Sequence, residues 1–169
     1  LFAVPEKALK KYETPKNGRQ TGYTSFQVEH AKDQLPEEGD LKRHWNIRRP
    51  LPPGHPRIMQ PSHVANVWPT EEAPNFQSVA LKMFAALDAL SVEVLSALEI
   101  NLGYPLGKLV NMVHDGETLM RILHYPPVEG KPKAVRAGAH EDINLITLLI
   151  AVTEPGLEVK TREGEWVAV

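Results

Sequence analysis

His140 and Asp142 stand two residues apart in Ala139-His140-Glu141-Asp142-Ile143. On an extended chain, residues i and i+2 point to the same face. One imidazole and one carboxylate therefore converge there, while Glu141 points away. Ligands of this kind suit a divalent first-row metal, and two histidines with one carboxylate on one face of an octahedral ion leave three positions open for other molecules. Such a pair works only on a rigid support. The apolar run from Ile143 to Val152, directly after it, reads as a buried strand that would supply one. The same triplet also occurs as a solvated turn, so the rest of the chain must decide between the two readings.

Composition narrows the chemistry. The 169 residues contain no cysteine, which excludes disulfides, thiolate metal sites and cysteine nucleophiles. Any metal must be held by nitrogen and oxygen. The 42% hydrophobic content is enough for one ordinary core, and a net charge of -2 with interspersed signs gives no bulk attraction to nucleic acid or anionic lipid. No apolar run approaches the roughly 20 residues that span a bilayer, and no signal peptide is visible. The expectation is a soluble cytoplasmic protein without nucleic-acid or membrane partners. Leu1 and Val169 both fall inside structured patterns, where natural domains usually end in loose polar residues, so both ends are expected to be cut.

The elements that must position the pair are read from periodicity. Residues 4–12 look like the end of a helix and 15–24 are turn-rich. Residues 25–31 read as a short strand and 33–40 as a charged loop. Seven prolines (Pro50, Pro52, Pro53, Pro56, Pro61, Pro69 and Pro74) forbid a long helix or central strand between 50 and 74. Trp45 and Trp68 flank this irregular layer and are expected to pin it by burial. From 75 to 102, Phe76, Val79, Ala80, Met83, Phe84 and Leu87 follow helical spacing, with Asn75 as N-cap and Gly103 as the stop. A shorter helix spans 106–114. The period then changes: Leu119, Arg121, Leu123 and Tyr125 alternate with Met120, Ile122 and His124 in a strand closed by Pro126-Pro127. Residues 134–140 and 143–152 read as further strands. Leu157–Thr161 and Trp166–Val169 read as a hairpin around Gly164. The fold class is thus α+β: an N-terminal helical and proline-rich region over 1–116, then an all-β region over 117–169 of the sandwich or jelly-roll kind.

At this point the residues resemble a known family. His140-Glu-Asp-Ile-Asn-Leu-Ile-Thr-Leu-Leu149 is similar to the ligand strand of isopenicillin N synthase and its 2-oxoglutarate-dependent relatives. Leu119-Met-Arg-Ile-Leu-His-Tyr-Pro-Pro127 resembles the strand that precedes it there. Gly156-Leu-Glu-Val-Lys and Gly164-Glu-Trp-Val-Ala-Val resemble the hairpin that follows. The resemblance implies the first half of a double-stranded β-helix with Fe(II) at its mouth, held by His140 and Asp142. It implies 2-oxoglutarate as cosubstrate, molecular oxygen, and a small organic substrate that is hydroxylated, desaturated or cyclised. It also assigns Tyr125 to the site wall, against cosubstrate or substrate. A buried tyrosine bonding a backbone carbonyl would serve equally well. Arg121 shares the alternation of Tyr125 and could pair with a carboxylate bidentately or simply be solvated.

The chain also departs from the family pattern. The resemblance implies a third ligand, a histidine 50–60 residues after the first, followed by Arg-x-Ser. The 27 residues after Asp142 (143–169) hold neither. His30, His44, His55, His63 and His114 lie upstream, and His124 should face away from Tyr125, so none is read as that ligand. The isolated chain is therefore expected to bind Fe(II) weakly and not to turn over. An oxidase of the isopenicillin N synthase type, using no 2-oxoglutarate, and a truncated non-catalytic remnant are the alternatives.

Overall fold

Six residues, Arg43–Arg48, form strand β2, whose side chains alternate between an apolar and a polar side. The computed structural model describes residues 1–31, 39–130, 133–150 and 153–169. In it β2 is the middle strand of an antiparallel sheet, between β1 (Gly22–Thr24) and β3 (Leu119–His124). The register sets Tyr23, Trp45 and Ile122 side by side, and likewise Gly22, Asn46 and Arg121. One sheet face is therefore aromatic and aliphatic, and the other carries His44, Asn46 and Arg121.

The apolar face builds the core. Leu9, Tyr23, Trp45, Ile47, Ala80 and Phe84 are buried together, with Val67, Trp68, Phe76, Met120 and Ile122 packed around them. Leu9 comes from a short helix α1 (Glu6–Leu9), and Ala80 and Phe84 come from the long helix α2 (Phe76–Leu102). Trp45 meets Phe76 edge-on at 5.5 Å and lies 5.6 Å from Tyr12. Burying a ring of this size is worth roughly 4–6 kcal/mol by area. Gly22 is obligatory because β1 threads between Tyr12 and Val67. A Cβ there would sit 2.3 Å from the Tyr12 carbonyl oxygen, and φ is +78°.

α2 is uninterrupted by glycine or proline and ends where Gly103 takes the left-handed conformation at φ 69°. Asn75 precedes it, but its side chain makes no capping bond. Only part of the expected apolar stripe is covered: Ala80, Phe84 and Leu95 are buried, whereas Val79, Met83 and Leu90 are exposed. Inside the helix, the buried Glu99 carboxylate accepts the N–H groups of Gly107 (2.7 Å), Leu109 (2.5 Å) and Val110 (3.0 Å), which fixes the start of α3 (Lys108–Val113). Arg49 donates twice to Asp88 (2.7 and 2.6 Å) and once to Thr118 Oγ1 (2.9 Å), so it ties the end of β2 to α2 and to the approach to β3.

The proline-rich layer is irregular as expected, apart from one 3-10 turn at Pro56–Met59. The hairpin also forms, with β4 (Glu158–Lys160) antiparallel to β5 (Trp166–Ala168). Three expected strands do not. Residues 25–31 are a turn, because Gln27 has φ 59° and the pairing segment is Gly22–Thr24 just before it. Residues 134–140 and 143–150 are irregular. Ile143 is fully exposed (104%), since no other described strand pairs with this run. Ala151 and Val152 lie outside the described residues, as do 32–38 of the expected charged loop and 131–132. What is observed is a partial α+β chain with two small sheets.

Phe84→Ala should cost about 3–5 kcal/mol in urea unfolding. Met83→Ala, at a side chain 47% exposed, should stay within about 0.5 kcal/mol. Equal losses would place the core on the wrong face of α2.

Candidate functional site

His140 Nε2 and Asp142 Oδ1 face each other at 3.7 Å, with side chains 60% and 49% exposed. His140 Nδ1 lies 2.8 Å from the Gly138 carbonyl oxygen. A carbonyl only accepts, so Nδ1 carries the proton and Nε2 keeps its lone pair free for a metal. The other carboxylate oxygen, Asp142 Oδ2, accepts from the Thr147 hydroxyl, and Asn144 Nδ2 donates to that hydroxyl oxygen at 3.0 Å. The pair thus stands oriented from behind, as metal ligands usually are. Two bonds of about 2.0–2.2 Å to one cation reach across the 3.7 Å separation only at an angle wider than that of adjacent octahedral positions, while one imidazole nitrogen and one carboxylate oxygen are a donor set that suits a divalent metal. Among the described residues no group of three or more histidine or carboxylate side chains gathers around one point.

Backbone bonds anchor the segment that carries the pair. Leu41 N–H donates to the Val135 carbonyl (2.9 Å), and Gly138 N–H donates to Asp40 Oδ1 (2.8 Å). The other Asp40 oxygen takes the Lys42 ammonium at 2.7 Å, and Lys42 reaches Glu29 at 2.8 Å. Glu29 in turn pairs with Arg121 at 3.1 Å, and Arg121 Nε donates to Asn46 Oδ1 at 3.1 Å. A continuous polar chain therefore runs from the sheet face to Gly138, two residues before His140. Burial opposes the charge on Lys42, yet its bonds to Asp40 and Glu29 prevail and raise its pKa. Burial likewise works against the Glu29 carboxylate, but the Lys42 bond and the charge of Arg121 hold its pKa below the ordinary value.

The structure thus brings His140 and Asp142 together, and places Arg121 elsewhere, against Asn46 and Glu29. Tyr125 continues the alternation of β3 and is exposed. Among the described residues no hydrogen bond or ion pair joins it or Arg121 to the His140–Asp142 pair. His124 does face the other way. Its ring stacks on Phe2 at 5.0 Å and its Nδ1 accepts from Arg43. Burial and the Arg43 charge lower its pKa. Asp40, Lys42, His44 and Asn46 were missed in the sequence. For His44 and Asn46 the signal was there in Arg43-His-Trp-Asn-Ile-Arg48, whose polar and apolar residues alternate with a period of two.

Residues 1–71 match the family model described as non-haem dioxygenase in morphine synthesis N-terminal. A 2OG-Fe(II) oxygenase family protein from Caulobacter crescentus has a crystal structure that superposes with a TM-score of 0.81 at 40% identity, over 98% of this chain and 52% of that one. The chain is similar to proteins of the 2-oxoglutarate-Fe(II) oxygenase family. A 2-oxoglutarate-Fe(II) type oxidoreductase of Aspergillus fumigatus is 28% identical over 176 aligned residues, which take in all of this chain and 52% of that protein. A full-length Neurospora crassa protein, solved in complex with alpha-KG and thymine, superposes with a TM-score of 0.77 at 28% identity, over 99% of this chain and 53% of that one. The chain therefore spans about half the length of these family members. Among the described residues no helix is long and apolar enough to cross a membrane.

His44 gives the chain a predictable acid sensitivity. Burial, helped by the Arg121 charge, pushes its pKa down to about 4 from 6.5. Glu29 opposes this shift and Lys42 adds to it. The folded form prefers the neutral ring, so its contribution is complete above pH 6.5 and is lost as pH falls toward 4, on the order of 3 kcal/mol in all. The urea midpoint should fall between about pH 7 and about pH 5, and His44→Gln should flatten that slope. An unchanged slope in the variant would assign the acid sensitivity to another group.

Proposed function

We propose that this chain serves a non-haem Fe(II) and 2-oxoglutarate-dependent oxygenase that oxidises a small organic substrate with molecular oxygen, by hydroxylation, desaturation or ring closure. His140 Nε2 and Asp142 Oδ1 are the two metal ligands in this reading. The observation that carries it is their 3.7 Å approach with the His140 tautomer already set by Gly138. Residues 117–169 belong to a double-stranded β-helix in this proposal, with β3, β4 and β5 among its strands, and residues 1–116 form the helical and proline-rich region beside it. The location proposed is cytoplasmic.

Iron and 2-oxoglutarate together supply oxygen activation when bound. The chain's own residues supply position. Gly138 holds the His140 ring, Thr147 holds Asp142, and Asp40 anchors the segment through Gly138 N–H. Tyr125 stands on the wall as a hydrogen-bonding group for cosubstrate or substrate. The names of the related proteins, one of them bound to alpha-KG and thymine, support a small-molecule substrate.

Anaerobic titration with Fe(II) tests the ligand assignment. His140→Ala and Asp142→Ala should each weaken binding at least about tenfold, and Asp40→Asn, through lost anchoring, by about the same factor or less. Glu141→Gln should leave it unchanged. Equal affinity in all four variants and the parent chain would remove these residues from the metal site.

A further inference from the structure

Among the described residues the strands of the hairpin, β4 and β5, pair only with each other, and every residue of both strands is exposed. Thr161 N–H donates to the Glu165 carbonyl and Val169 N–H to the Leu157 carbonyl, while Val159 stands opposite Val167. Backbone bonding toward one neighbour alternates along an antiparallel strand. Leu157, Val159 and Thr161 therefore turn their N–H and C=O groups toward β5, and Glu158 and Lys160 turn theirs outward. An open edge of this kind is a template for another strand.

The side chains sort by the same period of two. Leu157, Val159, Val167 and Val169 share one face of the hairpin and are 41–80% exposed. Glu158, Lys160, Trp166 and Ala168 share the other. The Lys160 ammonium stands 5.8 Å from the centre of the Trp166 ring. Neither Lys160 nor Glu158 has an ion-pair partner among the described residues.

We propose that the β4 edge is an interface between two copies of this chain, paired antiparallel about a two-fold axis at Val159. That register sets Glu158 of each copy directly opposite Lys160 of the other, so both outward-facing backbone pairs are flanked by opposite charges. A shift of two residues in either direction would instead set Glu158 against Glu158 or Lys160 against Lys160. A lysine on an edge normally repels a second strand. Here the glutamate two positions away makes the edge complementary to its own rotated copy, as a two-fold interface requires. The β5 edge has no such match, since an axis at Val167 sets Trp166 against Ala168. Joining two β4 edges builds a four-stranded sheet and brings the four aliphatic side chains of each copy onto one of its faces. The charges select the register, while the backbone bonds and the shared apolar face hold the pair, because exposed ion pairs by themselves contribute little. The proposal goes beyond the oxygenase reading and does not rest on it.

The test is sedimentation velocity of the 169-residue chain over a series of concentrations. The parent should pass from monomer to dimer as concentration rises. Glu158→Lys leaves two lysines on the edge and Lys160→Glu two glutamates, so each variant alone should self-associate at least about tenfold more weakly. An equimolar mixture of the two variants should dimerise again, because every pair across the axis regains opposite signs. Far-UV circular dichroism of each variant should match the parent, as expected for changes at exposed side chains. If the parent stays monomeric throughout, the edge belongs to another strand or another protein and the proposal falls. It falls equally if the variants associate as the parent does, or if their mixture does not recover, since the contact then lies elsewhere, such as on Val79 and Met83 of α2. None of these results bears on Fe(II) binding at His140 and Asp142.

Discussion

A strand with a period of two cannot place neighbouring side chains on the same face, and β2 turns this constraint into the plan of the molecule. Trp45 and Ile47 go to one side, where water is excluded and rings from Tyr12, Tyr23 and Phe76 close around them. His44 and Asn46 go to the other, where the surroundings are charged. A slip of one residue would carry a tryptophan onto the charged side and a histidine into the core. Both neighbours hold that register: β1 through Gly22, which alone fits between Tyr12 and Val67, and β3 through six paired residues.

The charged side has its own logic. Lys42 and Asp40 are buried, and buried ions are costly unless their partners are complete. Here the partners form a line, from Arg121 through Glu29, Lys42 and Asp40 to the Gly138 backbone. Lys42 has a carboxylate on either side, Glu29 and Asp40, so its buried charge is answered twice. The far end of the line is the segment carrying His140 and Asp142, and an otherwise irregular stretch is thereby tied to the sheet. For the proposed metal pair this matters because ligand atoms must be held to a fraction of an ångström, and residues 133–150 have no strand ladder to do it.

In α2, Ala80 and Phe84 join the core on the sheet's apolar side, while Val79 and Met83 are exposed. The helix was recognisable because each of its signals is local: the 3.6-residue spacing, Pro74 ahead of it, and Gly103 in the left-handed conformation at its end. β3 and the hairpin of β4 and β5 were recognisable for the same reason, through alternation and turn residues a few positions apart. The proline-rich layer followed from the ring geometry of proline alone.

What the sequence determined by itself was the donor chemistry and the local elements. It held no thiol, it placed His140 and Asp142 at i and i+2, and its strand and hairpin segments resembled those of the oxygenase family. Only tertiary structure decided the rest. The pairing of β2 with β3 joins residues 75 positions apart, Asn46 with Arg121, and no short-range pattern specifies such a partner. The apolar run after Asp142 has the composition of a buried strand, but an apolar run becomes a strand only when another strand offers it hydrogen bonds, and among the described residues none does. The cavity around His44 was invisible for the same reason. Arg19, Glu29, His44 and Arg121 are polar residues far apart in the chain, and only the fold brings them together around one cavity.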